Sequence, residues 1–422
     1  MGLLEPHGRH GRRNGEDAVS ALLDIRDAEV ANRTVLVRAD LNVPISNGAV
    51  ADDTRIARFA PTVRDLLARG ASVVVVTHLG RPGGKADPAC SVRPVAEVLA
   101  RAIGSEVVFV DDCVGALAGR GAEPPARGKV VLLENLRFHK AEEENDAGFA
   151  RRLASNGDIY VNDAFSCAHR AHASTHAIAG LLPAFAGPSL LGEVAALAAA
   201  LETPRRPVAA LVGGAKVSSK IAILKNLASR MDHVIVGGGM ANTFLAAQGH
   251  DVGRSLCEPD CIPLAREILA IAAASGCRIL LPDDVVAAGL GADEPPRVVG
   301  VDAIPAEMMA LDVGPSTVAR IDAVLDQCRT LLWNGPLGAF ETQPFGEATF
   351  AVARNAAELT QADRLVTITG GGDPAAALAA AGVTDRITYL STAGGAFLEW
   401  LEGRPLPGIE ILRTSAGQSE ES

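Results

Sequence analysis

The 422-residue chain has little that would fix its class by a single feature. Its seven cysteines contain no C-x-x-C pair and no zinc-finger spacing, so a disulfide scaffold is excluded and reduced thiols are expected. The first twenty residues carry Arg9, Arg12 and Arg13 beside Glu5, Glu16 and Asp17 without an apolar core, so no secretory signal is expected there. Charge-free apolar runs such as Ile268 to Cys277 fall far short of the ~18 residues of a membrane span, and a cytoplasmic protein with no membrane partner is expected. Excess positive charge is missing too: 39 Lys and Arg stand against 50 Asp and Glu. A formal net charge of -11 argues against general binding to nucleic acid, and any anionic ligand must be held by a local basic cluster.

What is present is a rhythm. Short β-branched runs alternate with glycine-rich turns and Ala/Leu helical stretches, which predicts βαβ units and parallel sheets. Strands are expected at 34–37, 72–77, 106–110, 129–133 and 158–161, and again at 208–212, 233–236, 278–281, 330–333, 364–368 and 387–390. Residues 188–201 read as a helix, and the following Thr203-Pro204-Arg205-Arg206-Pro207 breaks the pattern. The expected fold class is therefore α/β, with two open parallel sheets and a boundary near residue 204.

Ligands of an open parallel sheet bind beyond the carboxyl ends of its strands, so the residues after each strand are the informative ones. The first half offers Arg38 to Asn42, His78 to Pro82, Glu134 to His139 and Asn162 to Phe165, leading to His169-Arg170-Ala171-His172. Several guanidinium groups meeting in one crevice repel one another unless an anion neutralises them, and their forked donors match phosphate or carboxylate oxygens. The second half offers glycine instead: Gly213-Gly214-Ala215-Lys216, Gly237-Gly238-Gly239, Asn334-Gly335-Pro336, Gly370-Gly371-Gly372-Asp373 and Ala393-Gly394-Gly395. Glycine permits close backbone approach, and a helix starting there aims free N–H groups at phosphate. Neither G-x-x-x-x-G-K-[ST] nor G-x-G-x-x-G occurs, which disfavours a P-loop enzyme and a nicotinamide-dependent oxidoreductase. The layout suggests a small anionic substrate and a nucleotide brought together by domain closure.

With these segments in view, the chain resembles phosphoglycerate kinases over roughly residues 21–413. The matching runs are Val37 to Pro44, Asp53 to Ile56, His78 to Pro82, Glu134 to His139, Asn162 to Ser174, Gly213 to Lys220, Asp312 to Pro315, Trp333 to Glu341, Gly370 to Asp373 and Ser391 to Ala396. The resemblance implies two Rossmann-like domains joined by a hinge helix: residues 1–187, with tail 405–422 packed back on them, a connecting helix at 188–203, and a nucleotide-binding domain at 204–404. It implies binding of 3-phosphoglycerate or 1,3-bisphosphoglycerate by Asp40, Asn42, Arg55, His78, Arg81, Arg137 and Arg170. It implies a nucleotide site at Gly214, Lys216, Lys220, Gly238, Asn334, Glu341, Gly370, Gly371, Gly372 and Asp373. Glu341 would take the ribose hydroxyls, and Asp373 the Mg2+ that accompanies ATP or ADP. In the implied transfer of a phosphoryl group, Lys216 and Arg55 would flank the moving group and the helix starts at Gly372 and Gly395 would donate N–H groups. A monomer is the family expectation.

Two positions depart from the family pattern. Ser219 stands where Asp is usual, and Pro374 where Thr or Ser is usual, so a weakened paralogue acting as a ligand-binding or regulatory protein is the alternative reading. Milder departures are Ser166-Cys167 and Ala393.

Overall fold

The computed structural model describes residues 22–114, 129–289, 295–391 and 393–419. The arginine-bearing N-terminal stretch, for which no secretory signal was expected, Thr392 and the last three residues of the tail lie outside the described residues.

Two six-stranded parallel sheets form the frame. The first runs, in spatial order, Val107–Val110, Val130–Leu133, Ser72–Val76, Thr34–Ala39, Ile159–Asp163 and Ala184–Ala186. The second runs Arg278–Leu280, His233–Val236, Val208–Val212, Thr330–Asn334, Val366–Gly370 and Tyr389–Ser391. Helices cover both faces, so the central strands are unbroken apolar runs rather than alternating ones: Ser72–Val76 and Val208–Val212 are buried at every residue. In each sheet the chain winds outward from one central strand and then resumes on its other side. The resulting switch points lie between Thr34–Ala39 and Ile159–Asp163, and between Val208–Val212 and Thr330–Asn334. These are the two places where the connecting segments part and leave a crevice.

Between the sheets runs the helix Pro188–Leu201, with the bounds read from the sequence. Pro188 suits its first position, where no intrahelical acceptor exists for an N–H. Asp163, the last residue of its strand, caps it: Oδ1 accepts from Ser189 N at 2.7 Å and Leu190 N at 3.1 Å, and Oδ2 accepts from the Thr62 hydroxyl at 2.9 Å. A Cβ on Gly187 would lie 2.4 Å from Asp163 Oδ1, so this corner requires glycine. The helix is apolar around most of its circumference because both halves pack on it; Leu190, Val194 and Leu197 share a core with Phe165 and Val208.

The helix Pro407–Ser419 returns to the first half. Gly408 N donates to Ala168 O at 2.9 Å, and Leu406, Ile409 and Leu412 join Leu22, Ile178 and Ala184 in one core.

Several elements differ from the sequence reading. The strand expected at 364–368 is Val366–Gly370, because Asp363 adopts a left-handed φ of 55° and Arg364 N still bonds to Leu359 O at the end of the preceding helix. The strand expected at 387–390 is Tyr389–Ser391, since the Thr388 hydroxyl takes the Thr367 N–H that strand backbone would otherwise receive. Ala184–Ala186 went unread because it has only three residues, and an antiparallel sheet of Asp284–Gly289, Arg297–Gly300 and Met308–Val313 went unread because Ala, Gly, Met or charged residues interrupt its valines. Arg38, Asn162, Asn334 and Gly370 are strand residues rather than residues following a strand. Among the described residues no helix is long and apolar enough to cross a membrane.

Candidate active site

The first crevice is a cavity of about 230 Å³ lined by Asp40, Asn42, Arg55, His78, Arg81, Arg137 and Arg170, together with Ser166, Cys167 and His169. All seven residues assigned to the substrate from the sequence therefore meet in one place. Asp40 leaves strand Thr34–Ala39 and pairs with Arg55 from the first turn of helix Thr54–Ala68. Ser166 Oγ donates to the same Asp40 carboxylate at 2.5 Å. Asn42 Oδ1 accepts from Gly80 N at 2.9 Å, which fixes the turn that presents Arg81.

Arg137 is 5% exposed and donates to Gly80 O at 2.8 Å. Its Nε makes no hydrogen bond among the described residues and faces Glu143 as an ion pair at 3.4 Å. Arg170 Nε donates to His169 Nε2 at 3.1 Å, so that imidazole is an acceptor at Nε2 and carries its proton on Nδ1. His78 is 5% exposed, and its Nδ1 lies 3.1 Å from Arg38 Nη2. A guanidinium has only donors, so His78 Nδ1 accepts and Nε2 keeps the proton. Burial first, then Arg38, Arg137, Arg55 and His172, push the His78 pKa well below the ordinary imidazole value. Burial and the same arginine cluster bring His172 down to about 3. Both rings are neutral at pH 7, and the pocket's positive charge resides in its guanidinium groups.

The residue that sequence reasoning underused is Arg38. It is fully buried beneath the pocket, donating to Ala39 O at 2.5 Å and Ser174 Oγ at 2.9 Å. Ser174 in turn donates through its hydroxyl to Glu142 at 2.5 Å and through its N–H at 2.9 Å. Burial raises the Glu142 pKa, while Arg38 and Ser174 oppose that rise. No sequence signal separates Glu142 from the exposed Glu143 and Glu144 beside it.

The second crevice is built from backbone. A Cβ on Gly213 would lie 1.8 Å from Pro336 O, and one on Gly335, which has φ +115°, would lie 2.2 Å from Gly213 O. The two strand ends thus touch main chain to main chain. Lys220 Nζ crosses above them, donating to Gly213 O at 2.7 Å and to Asn334 Oδ1 at 2.6 Å. Burial lowers the Lys220 pKa to about 8, with Asp373 acting against the shift. Asn334 Nδ2 donates to Gly370 O at 2.9 Å, which links this corner to the next strand. Gly238 N donates to Leu337 O at 2.7 Å, and Gly214 O accepts from Met240 N at 3.0 Å.

Helix Gly372–Ala380 starts on Gly371, whose φ is +114°, and Gly372 and Asp373 are exposed in its first turn. Pro374 is buried in that turn, where the missing N–H is one that has no intrahelical partner in any helix. Lys216 and Glu341 are exposed. The Ser219 hydroxyl donates to Lys216 O at 2.7 Å and closes the short turn Val217–Ser219, so its contact is with the lysine's backbone rather than its side chain.

The second half reaches the first crevice. Helix Gly394–Leu401 belongs to the second half, yet Gly394 lines the cationic cavity, and a Cβ on Gly395 would lie 2.8 Å from His169 Nε2. Phe165 of the first half and Trp400 of that helix also meet, with ring planes tilted by 49° and centroids 6.1 Å apart. A wider cavity of about 830 Å³, lined by Phe59, Pro188, Glu193, Tyr389 and Leu390 among others, opens between the halves on the hinge side.

A pocket of guanidinium groups at the switch point of one sheet and a glycine-built strand edge at that of the other are the marks of a two-domain α/β phosphotransferase. The sequence profile of phosphoglycerate kinase matches residues 25–404. The chain is 54% identical over 397 residues to the phosphoglycerate kinase of Methylobacterium radiotolerans, an alignment spanning 94% of this chain and 99% of the relative. It superposes on the structure of phosphoglycerate kinase from Coxiella burnetii with a TM-score of 0.87 at 42% identity, covering 94% of this chain and all of that one. The Pyrococcus horikoshii phosphoglycerate kinase structure aligns at 0.78 with 29% identity. The chain belongs to the phosphoglycerate kinase family.

Proposed function

We propose that the chain transfers a phosphoryl group reversibly between 1,3-bisphosphoglycerate and MgADP, giving 3-phosphoglycerate and MgATP. The observation that carries this reading is the start of helix Gly394–Leu401, a second-half element, seated against the arginine pocket of the first half. In the reading, residues 1–187 with the tail 405–422 hold the phosphoglycerate, 188–203 connect, and 204–404 hold the nucleotide. It works as a monomer, and its seven free cysteines suit the cytoplasm.

Arg81, Arg137 and Arg170 grip the anionic substrate, and His78 donates from Nε2. Asp40 and Ser166 keep the Arg55 guanidinium pointed toward the reacting end. Gly214, Gly238 and Gly370 to Gly372 let nucleotide approach the backbone, Glu341 takes the ribose hydroxyls, and Lys220 with Asn334 holds the rim in shape. The attacking carboxylate oxygen is already ionised, so no general base is needed and catalysis is positioning plus neutralisation of charge. Lys216 and Arg55 supply that neutralisation from opposite sides, assisted by N–H groups at Gly372 and Gly395. Asp373, an exposed carboxylate in a helix's first turn beside a phosphate-facing glycine turn, fits the Mg2+ that travels with the nucleotide. When bound, that ion screens the phosphate charge.

A coupled assay with MgATP and 3-phosphoglycerate tests the reading. Turnover that vanishes in Arg55→Ala and Lys216→Ala, with both proteins folded, supports it. Binding of both ligands without turnover in the wild type would return the reading to that of a ligand-binding paralogue.

A further inference from the structure

Two neighbouring strand ends bring together three side chains that the proposed reaction does not use. Val107–Val110 and Val130–Leu133 run side by side, and Glu134 N donates to Val110 O at 2.9 Å, so the segments leaving them start in contact. Asp112 and Cys113 lie on the first segment and His139 on the second. A carboxylate oxygen, the Cys113 Sγ and a His139 ring nitrogen all lie within 4.8 Å of one another. This is the only such His/Cys/Asp/Glu group among the described residues.

Its members are held in place. His139 Nε2 and Asp112 Oδ1 are 2.9 Å apart, and Cys113 N donates to the same oxygen at 2.7 Å. The imidazole packs against Phe149 at 5.3 Å between centroids. Behind the cysteine, buried Asn156 donates to Cys113 O at 3.3 Å, while its Oδ1 has no hydrogen-bond partner among the described residues. The layering suits an ion arriving from solvent: the side chains of His139 and Asp112 are 32% and 47% exposed, and the thiol lies beneath them at 1%.

We propose that Asp112, Cys113 and His139 form a binding site for a borderline-soft divalent cation of the Zn2+ type, separate from the magnesium of the nucleotide. Thiolate, imidazole and carboxylate are three of the ligands such an ion takes in tetrahedral sites, with water completing the fourth position. Thiolate sulfur disfavours Mg2+, which takes oxygen ligands. Ligand atoms around zinc stand ~3.5 Å apart, so the 2.9 Å edge between His139 and Asp112 must open slightly and the edges to Cys113 Sγ, no longer than 4.8 Å, close by up to about 1 Å, which two half-exposed side chains permit. Binding converts Cys113–SH to thiolate and releases its proton to solvent, so affinity rises with pH. An ion here ties the end of strand Val107–Val110 to the segment that carries Arg137.

Cobalt(II) added to the full-length, chelator-treated protein tests this, because a cobalt–thiolate bond gives an intense near-ultraviolet charge-transfer band that oxygen and nitrogen ligands lack. The expected result is a band that saturates at equimolar cobalt, is displaced by Zn2+, and is untouched by MgATP. Zn2+ should also raise the thermal midpoint, as any ligand of the folded state does. Cys113→Ser should abolish the band, and His139→Gln should weaken cobalt binding by about tenfold or more. Because Cys113 is a core residue, His139→Gln, at a half-exposed position, carries the test where the serine variant fails to fold. No band at saturating cobalt, or a band that survives these substitutions, overturns the proposal.

Discussion

On the proposed function the two crevices answer one problem, the holding of negatively charged oxygens, with different materials. The first uses side chains that brace one another: Arg38 beneath, His78 and Arg137 buried along the wall, and Asp40 with Ser166 steering Arg55. The second uses main chain, with Gly213 and Gly335 in direct contact and Lys220 laid across them. Side-chain construction can lose one member and keep its shape. Main-chain construction fails as soon as one Cβ is added, because the atoms it would meet are themselves backbone.

The largest effect should therefore come from the smallest substitution. Gly213→Ala places a methyl group where Pro336 O already is, and we expect destabilisation above about 4 kcal/mol, read as loss of soluble protein or a collapsed thermal midpoint. Near-normal stability would show that the two strand ends slide apart freely. Next, Arg137→Met should leave folding intact while lowering kcat/KM by about 100-fold, with most of the change for phosphoglycerate rather than for ATP. An equal loss for both substrates would mean that the wall supports the whole cleft. Lys220→Met should cost on the order of 2 kcal/mol in denaturant unfolding, since it strands the carbonyl of Gly213 and the side-chain oxygen of Asn334.

A pH titration sharpens the contrast, because burial pushes a base in one half and an acid in the other toward neutrality. His172 is lowered to about 3 from 6.5, so the unfolded chain takes up a proton that the fold refuses, and stability falls as pH drops below 6.5. Asp312, whose oxygens accept from Val313 N and Ala348 N, is raised to about 7 from 3.8. Its fold keeps a proton that the unfolded chain has lost, so this contribution falls as pH rises from about 4 to about 7. Subtracting thermal midpoints of His172→Gln and Asp312→Asn from those of the wild type should give slopes of opposite sign. The smallest effect is expected from restoring the family's usual residues: Ser219→Asp with Pro374→Thr should change kcat by no more than about threefold, because the Ser219 hydroxyl contacts only backbone and Pro374 gives up an N–H without an intrahelical acceptor.

Much of this was legible before any coordinates. The helix Pro188–Leu201 announced itself through Pro188, an apolar run and the prolines after it. The glycine turns stood out because glycine after a β-branched run has few other meanings. What stayed hidden depends on distance through space. Arg38 looks like one more strand-end arginine, and only the packing of Ser174 and Glu142 against it shows a buried strut. Asp112 and Cys113 are remote in sequence from His139, and no spacing rule joins residues that meet because two strands are neighbours. The antiparallel strand Met308–Val313 has a single β-branched residue, and Arg297–Gly300 has only a pair of valines between Arg and Gly, too brief a run to be told from loop.

The return of helix Pro407–Ser419 onto Ala168 has a consequence for how the protein is made. Ala168 adjoins His169 and Arg170, so the segment that carries two residues of the arginine pocket is packed by residues translated after the entire second half. As the chain leaves the ribosome, the first half must wait with the apolar surface destined for Leu406, Ile409 and Leu412 uncovered, and it seals when those residues arrive.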